Sequence, residues 1–296
     1  GLGHFFIGVH KPWITMWSAL EANLVNIVIS AALMFGFFGI EPMGIEGAAW
    51  GTFAANVYRT LRLLVSALGP QIDAVFHTRS GWRPSLREML ALLRVGLPCG
   101  LQWLSEVTVW TIFVTVLVGT KFGTVALIAT NASWQYMRIA FMPALGVGMA
   151  LSSLVGKAIG AGDPDLAVRH TRSAVLLTLV YMGGLSVLYL AAGGPLIGLF
   201  SDNEEVIRIG ARVMICAGIF QLFDALGINY TFALRGAGDT FWPSIFFVAS
   251  TWSIIIGGGY AMTWFFPGLG SIGPWIASST LIIVTALFLW WRWRGG

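Results

Sequence analysis

Residues 89–121 read MLALLRVGLPCGLQWLSEVTVWTIFVTVLVGTK, and between Arg94 and Lys121 this stretch carries one charged residue, Glu106. An α-helix crosses a hydrocarbon core of about 30 Å in roughly 20 residues, so this run is long enough and apolar enough to span a membrane. Working outward, comparable runs place eight spans at about 13–37, 45–68, 90–118, 124–156, 170–199, 206–234, 242–266 and 272–291. None alternates with period two, which excludes a membrane barrel. Composition agrees: 57% of the 296 residues are hydrophobic and 10% are charged, whereas a soluble domain is about half apolar and about one-quarter charged. A soluble globular enzyme, a disordered chain and a disulfide scaffold are thereby excluded. Cys99 and Cys216 both fall inside apolar runs and read as small packing residues. The predicted fold is an all-α polytopic membrane protein with about eight transmembrane helices.

The loops orient it. Thirteen of the 17 basic residues fall on one side, among them Arg79, Arg83, Arg87, Lys157 and Arg169, and Lys121, Arg208 and Arg212 fall on the other. The basic side is expected to be cytoplasmic, in a plasma (inner) membrane, together with the loop 69–88 and the C-terminus. Tryptophans near span ends, such as Trp13, Trp264 and Trp290, suit an aromatic belt. The polar segment 69–88 is expected to divide the chain into a two-helix piece, 1–68, and a six-helix piece, 89–296. It reads as a tether, with Trp82 and Arg83 as an alternative short segment lying on the membrane surface.

The two-helix piece resembles the last pair of spans. Pro12 and Pro243 mark the cytoplasmic start of each pair, and Gly44-x-x-Gly47 and Gly270-x-x-Gly273 open the second helix of each. The prolines are 231 residues apart, which is six spans at about 38 residues each. An even number of spans gives both copies the same orientation, as in transporters with two parallel halves. The chain is then expected to carry the last two helices of one half and all six of the other, with about four helices preceding it.

Four charged residues sit well inside spans: Glu21, Glu106, Arg138 and Asp224. A charge near the bilayer centre costs at least about 2.5–3.5 kcal/mol, so such residues usually face a cavity or a partner. Glu106 lies twelve residues past Arg94 and Asp224 eleven before Arg235, or about 18 and about 16 Å from the same membrane face. The two acids are therefore at matching depth on different helices. Gln102 and Gln221 lie on the same helical faces as their respective acids. Glu106 and Asp224 are the candidate cation site, with Na⁺ as a possible metal ion there, and Gln102, Asn131, Arg138 and Gln221 are further candidates for the cavity. A structural ion pair between Arg138 and one acid is the competing reading. Glu21, nearer the cytoplasmic end, is expected to snorkel. His4, His10, His77 and His170 lie in or beside loops without ligand spacing, and the glycines of GAGD at 160–163 read as helix-end residues rather than a phosphate loop. No enzyme, no cofactor, no ATP and no nucleic acid is expected.

Three strings then carry a family resemblance: RVGLPCGLQWLSEVTVW at 94–110, FMPALGVGMALSSLVGKAIGAGDPDLAVRHTRSA at 141–174, and FQLFDALGINYTFALRGAGDT at 220–240. With NLVNIVISAALMFGFFG at 23–39 and GIEGAAWGT at 44–52, the sequence resembles the multidrug and toxic compound extrusion (MATE) family of secondary transporters over nearly its whole length. The resemblance implies twelve helices in two six-helix lobes about a central cavity, with helices five to twelve present here, and a protein that is monomeric when full length. It implies export of cationic, amphipathic drugs or toxins in exchange for Na⁺ or H⁺. Glu106 and Asp224 match the acids that the family carries on helices seven and ten. Where related sodium-coupled proteins have a Tyr one turn before the second acid, this chain has Phe220. A first-lobe proton site found in some relatives survives as Asn26 and Thr52, with Ser30 at the position of its acid.

As a mechanism, Glu106 and Asp224 take the coupling cation or a cationic cargo in turn. The alternatives are a lipid-linked oligosaccharide flippase of the same superfamily, which needs a more cationic cavity, and a passive channel or membrane scaffold, in which replacing the acids changes nothing.

Overall fold

The computed structural model describes residues 2–9, 11–37, 41–80 and 85–295. Among the described residues the chain is helical, without strands. Two compact units divide it, Gly1–Glu88 and Met89–Gly296.

In the first unit, α1 (Leu2–Gly8) leads into α2 (Pro12–Phe35), which packs along α3 (Ile45–Ala67), and α4 (Pro70–Phe76) follows. Pro12 stands at the start of α2, where the missing N–H costs nothing. The helices approach closely because α3 presents Gly47 and Gly51 to α2. A Cβ at Gly47 would lie 2.7 Å from the Leu33 carbonyl carbon, and one at Gly51 would collide with Ser30. The short helices close one end of the pair through Phe6, Ile14, Leu63, Ala67 and Ile72. Trp82, Arg83 and His10 lie outside the described residues.

In the second unit, α5 (Leu86–Ile112) continues as the π-helical Phe113–Thr120 into α6 (Lys121–Gly160). Glycine at 123, with φ 79° and ψ −174°, breaks the path between them. Then come α7 (Pro164–Gly198), α8 (Glu204–Gly236), α9 (Phe241–Ser250), a second π-helical stretch at Thr251–Gly258, α10 (Gly259–Phe265) and α11 (Ile272–Gly295). Among the described residues, six helical stretches are long and apolar enough to cross a membrane. One of them, Gly96–Gly160, is 65 residues long and breaks at Gly123, so it supplies two crossings. The helix Ile45–Ala67 has the length of a span, 23 residues, and lower hydropathy because it carries Glu46, Arg59 and Arg62.

Central in this unit is α8, packed against α6, α7 and α11. Small residues set the approach: a Cβ at Gly236 would sit 2.5 Å from the Ser152 carbonyl oxygen, and one at Gly218 would sit 2.7 Å from Leu190. The GAGD strings end α6 and α8 in the same way. The Asp163 N–H donates to the Ala158 carbonyl at 3.0 Å and the Asp239 N–H to the Leu234 carbonyl at 2.9 Å. Gly162 and Gly238 take φ of 76° and 84°, which closes each helix with a left-handed cap. Asp163 then caps α7 by accepting from the Leu166 N–H at 2.8 Å, and Asp239 pairs with Arg292 at 2.7 Å.

The internal repeat is visible in the backbone. Gly44 before α3 has φ 55°, ψ −127°, and Gly270 before α11 has φ 57°, ψ −139°. Three residues on, Gly47 and Gly273 each meet the preceding helix closely, at Leu33 and Met262.

Candidate functional site

The second unit contains a cavity of about 840 Å³ walled by α5, α6, α8, α9 and α11. Glu106 reaches it from α5 and Asp224 from α8, and Gln102, Gln221 and Arg138 also line it. The two carboxylates lie close enough for their charges to interact. Neither forms a hydrogen bond or ion pair with another side chain among the described residues, so their oxygens remain available to a ligand. Asn131 is exposed and is not part of this wall. It lies seven residues before Arg138, about 10 Å along the helix axis.

Local structure explains the placement of Glu106. Pro98 inside α5 removes one backbone hydrogen bond, and α5 stands off from the close-packed α6–α7–α8–α11 core. Polar side chains bridge the gap. The buried Gln102 Oε1 accepts from Arg235 Nη2 at 3.1 Å and from Ser244 Oγ at 3.3 Å. Ser105 Oγ accepts from the Trp252 indole N–H at 2.9 Å. Glu106 follows immediately, on the helical face of Gln102.

Arg235 is a charged cavity residue that sequence reasoning missed. It belongs to the last turn of α8 and lines the cavity, its guanidinium 5.2 Å from the centre of the Phe232 ring and electrostatically linked to Glu106. Its nearness to a helix end and its loop-like RGAGD context mark it as a cytoplasmic charge, and its long side chain instead reaches back to α5 (the snorkelling geometry, here directed inward). A structural ion pair between Arg138 and an acid is not formed: no carboxylate lies within 4.0 Å of it among the described residues.

The rest of the lining is apolar with a few hydroxyls. Trp110 packs edge-on against Trp134 at 5.5 Å and Phe113 at 5.2 Å, fixing a flat aromatic wall. The Thr111 and Thr115 hydroxyls donate to the Val107 and Thr111 carbonyls, each at 2.7 Å. Their protons are thus used within α5 and its π-helical continuation, leaving oxygen lone pairs that suit a hard cation. Phe220 lines the cavity without adding an oxygen.

In the first unit, the Asn26 amide donates to Thr52 Oγ1 at 3.2 Å, so two of the three candidate residues there meet. Ser30 sits against Gly51 in the α2–α3 contact. Glu21 does not snorkel alone. It accepts from Arg62 Nε at 3.0 Å and from the Tyr58 hydroxyl at 3.1 Å.

Fold and site together define a polytopic helical membrane protein whose second unit carries an acid-bearing cavity. Residues 98–261 match the MatE family model, more than half of the chain, and the chain belongs to that family. It is 28% identical over 302 residues to the probable multidrug resistance protein NorM of Brucella suis, covering 99% of this chain and 63% of that one. The corresponding protein of Agrobacterium fabrum is 30% identical over 297 residues, with 95% and 62% covered. The chain thus spans a little under two thirds of the length of these relatives. In fold it is similar to a MATE crystal structure in the straight conformation, with a TM-score of 0.85 at 20% identity, covering 98% of this chain and 64% of that one.

Proposed function

We propose that the full protein carrying this chain is a secondary antiporter that exports cationic, amphipathic compounds in exchange for Na⁺ or H⁺. The observation that carries this reading is the convergence of Glu106 and Asp224, from separate helices, on one cavity. A shared anionic site makes coupling cation and cargo compete, and that reciprocity is what antiport requires. Na⁺ draws on carboxylate, hydroxyl and carbonyl oxygens, whereas a proton needs only a poorly solvated carboxylate. On this reading 1–68 closes a first lobe, 89–296 is the second, and the protein works as a monomer in the plasma (inner) membrane without ATP. The relatives named as probable multidrug resistance proteins support drug export. Arg235 joins Arg138 as a second cavity cation, which the flippase alternative requires, yet Arg235 is held by Gln102 and two acids balance the pair.

The test is efflux of ethidium-type dye from membrane vesicles, with Na⁺ and pH gradients imposed separately and Glu106→Gln and Asp224→Asn alongside. Gradient-driven efflux in the wild type, lost in both variants, is the expected result. Dye movement independent of either gradient in all three proteins would refute antiport.

A further inference from the structure

The cavity that holds the two acids contains a central charge that cation exchange leaves unused. Arg138 lies near the middle of α6, between Lys121 and Lys157, and its side chain is exposed along the cavity wall. Among the described residues its guanidinium forms no ion pair. Arg235 in the same cavity is tied to Gln102, and Arg62, Arg79, Arg208 and Arg292 each meet a carboxylate. Arginine stays charged in a protein interior, so Arg138 has no neutral form in which to rest. Arg138 lines the cavity, and the planar fork of guanidinium N–H donors matches the two oxygens of a carboxylate. Trp134, Phe141 and Met142 also line the cavity at helical spacing from Arg138, so they form one stripe with it on α6. A guanidinium beside a flat apolar surface thus shares a cavity with two carboxylates carried by other helices.

We propose that Arg138 forms an anion subsite, and that the preferred cargo is a soluble zwitterionic amphiphile carrying a carboxylate as well as a cationic group. This rests on the exchange reading of the same cavity: Glu106 and Asp224 receive the cationic end and Arg138 the carboxylate. A cargo that is cationic throughout meets repulsion at Arg138.

Rhodamine 110 and rhodamine 123 isolate the effect, because they share one ring system and differ by a free carboxylate against its methyl ester. Binding of each dye to the full protein in detergent is measured by fluorescence polarisation. The wild type is expected to prefer rhodamine 110. Arg138→Gln weakens rhodamine 110 about tenfold, the scale of losing a hydrogen-bonded charge partner. The same variant strengthens rhodamine 123, since a repelling charge is gone, and Arg138→Lys falls between. Equal affinity of the wild type for both dyes, or equal loss of both in Arg138→Gln, overturns the anion subsite. Displacement of rhodamine 110 by dihexanoyl phosphatidylethanolamine overturns the assignment to a soluble cargo and gives the subsite to lipid. Glu106→Gln and Asp224→Asn separate the two readings. If they weaken rhodamine 123, the exchange site stands whatever happens at Arg138; if they change neither dye, the exchange reading itself fails.

Discussion

Gln102→Met removes the acceptor that holds Arg235, with little change in side-chain volume. Two contacts are lost, the 3.1 Å bond from Arg235 and the 3.3 Å bond from Ser244. A hydrogen bond to a charged group contributes about 1.5–3 kcal/mol and a neutral one about 0.5–1.5 kcal/mol, and water entering the cavity recovers part of each. The freed guanidinium has a nearby alternative. Glu106 is one turn from Gln102, about 6 Å away between Cβ atoms, and its charge already interacts with that of Arg235. Pairing the two neutralises the acid that the cation needs. A net gain of about 1–2 kcal/mol for that pairing corresponds to a factor of about 5–30 in affinity. Rhodamine 123 binding, followed by fluorescence polarisation, is therefore expected to weaken by about that factor in Gln102→Met. Adding Arg235→Gln to the same protein is expected to restore most of the loss, since the competing cation is then absent. Wild-type affinity in Gln102→Met, or no recovery in the double variant, would refute the claim that Gln102 keeps Arg235 off Glu106.

Gly236→Ala forces a Cβ to within 2.5 Å of the Ser152 carbonyl oxygen, and overpacking of about 1–3 kcal/mol outweighs the helix propensity of up to about 1 kcal/mol that alanine adds. Gly184→Ala meets nothing within 4 Å and is expected to raise stability by about 0.5–1 kcal/mol; thermal unfolding in detergent should move in opposite directions for the two. Gly51→Leu collides with Ser30 across the α2–α3 contact, and faster proteolysis of the 1–88 unit, with 89–296 unaffected, is the expected outcome. Asp239→Asn removes the charge from a 2.7 Å pair whose side chains are 26% and 37% exposed, a loss of about 0.5–1 kcal/mol that high salt should largely erase.

The spans are legible in sequence because a hydrocarbon environment demands long apolar runs and leaves little choice of structure. The expected run 206–234 becomes the helix Glu204–Gly236, and the interruption after residue 118 becomes the break at Gly123. A uniform helical rise is what lets sequence pair Glu106 with Asp224, and both acids line one cavity. Side-chain reach is harder to read. Arg235 carries the loop context of a cytoplasmic charge, yet its guanidinium lies in the cavity on Gln102. Glu21 has the position of a snorkelling residue, yet its partners are Tyr58 and Arg62, 37 and 41 residues away. Helical periodicity places Asn131 near the face of Arg138, yet Asn131 does not line the cavity. The π-helical turns at 113–120 and 251–258 likewise have no sequence pattern that marks them.

The two acids are held by different means, and the difference bears on exchange. Asp224 stands on α8, whose backbone is locked to α6 and α7 through Gly236 and Gly218; moving it requires separating interdigitated helices, which close packing resists. Glu106 stands on α5, which Pro98 interrupts; on the N-terminal side of Glu106, α5 meets its neighbours through Gln102 and Ser105 at 2.9–3.3 Å, and apolar packing begins only beyond it, at Val109 and Trp110. Polar contacts at a cavity wall can be exchanged for contacts with water or a ligand at small net cost, whereas a buried packing contact has no such substitute. A cation arriving between the acids therefore meets one fixed carboxylate and one adjustable one. If α5 is the adjustable wall, hydrogen exchange in α5 between Gly100 and Thr111 should slow when rhodamine 123 binds, while the α8 amides around Asp224 stay protected with and without it. Equal protection changes in both helices would show instead that the cavity moves as a single block.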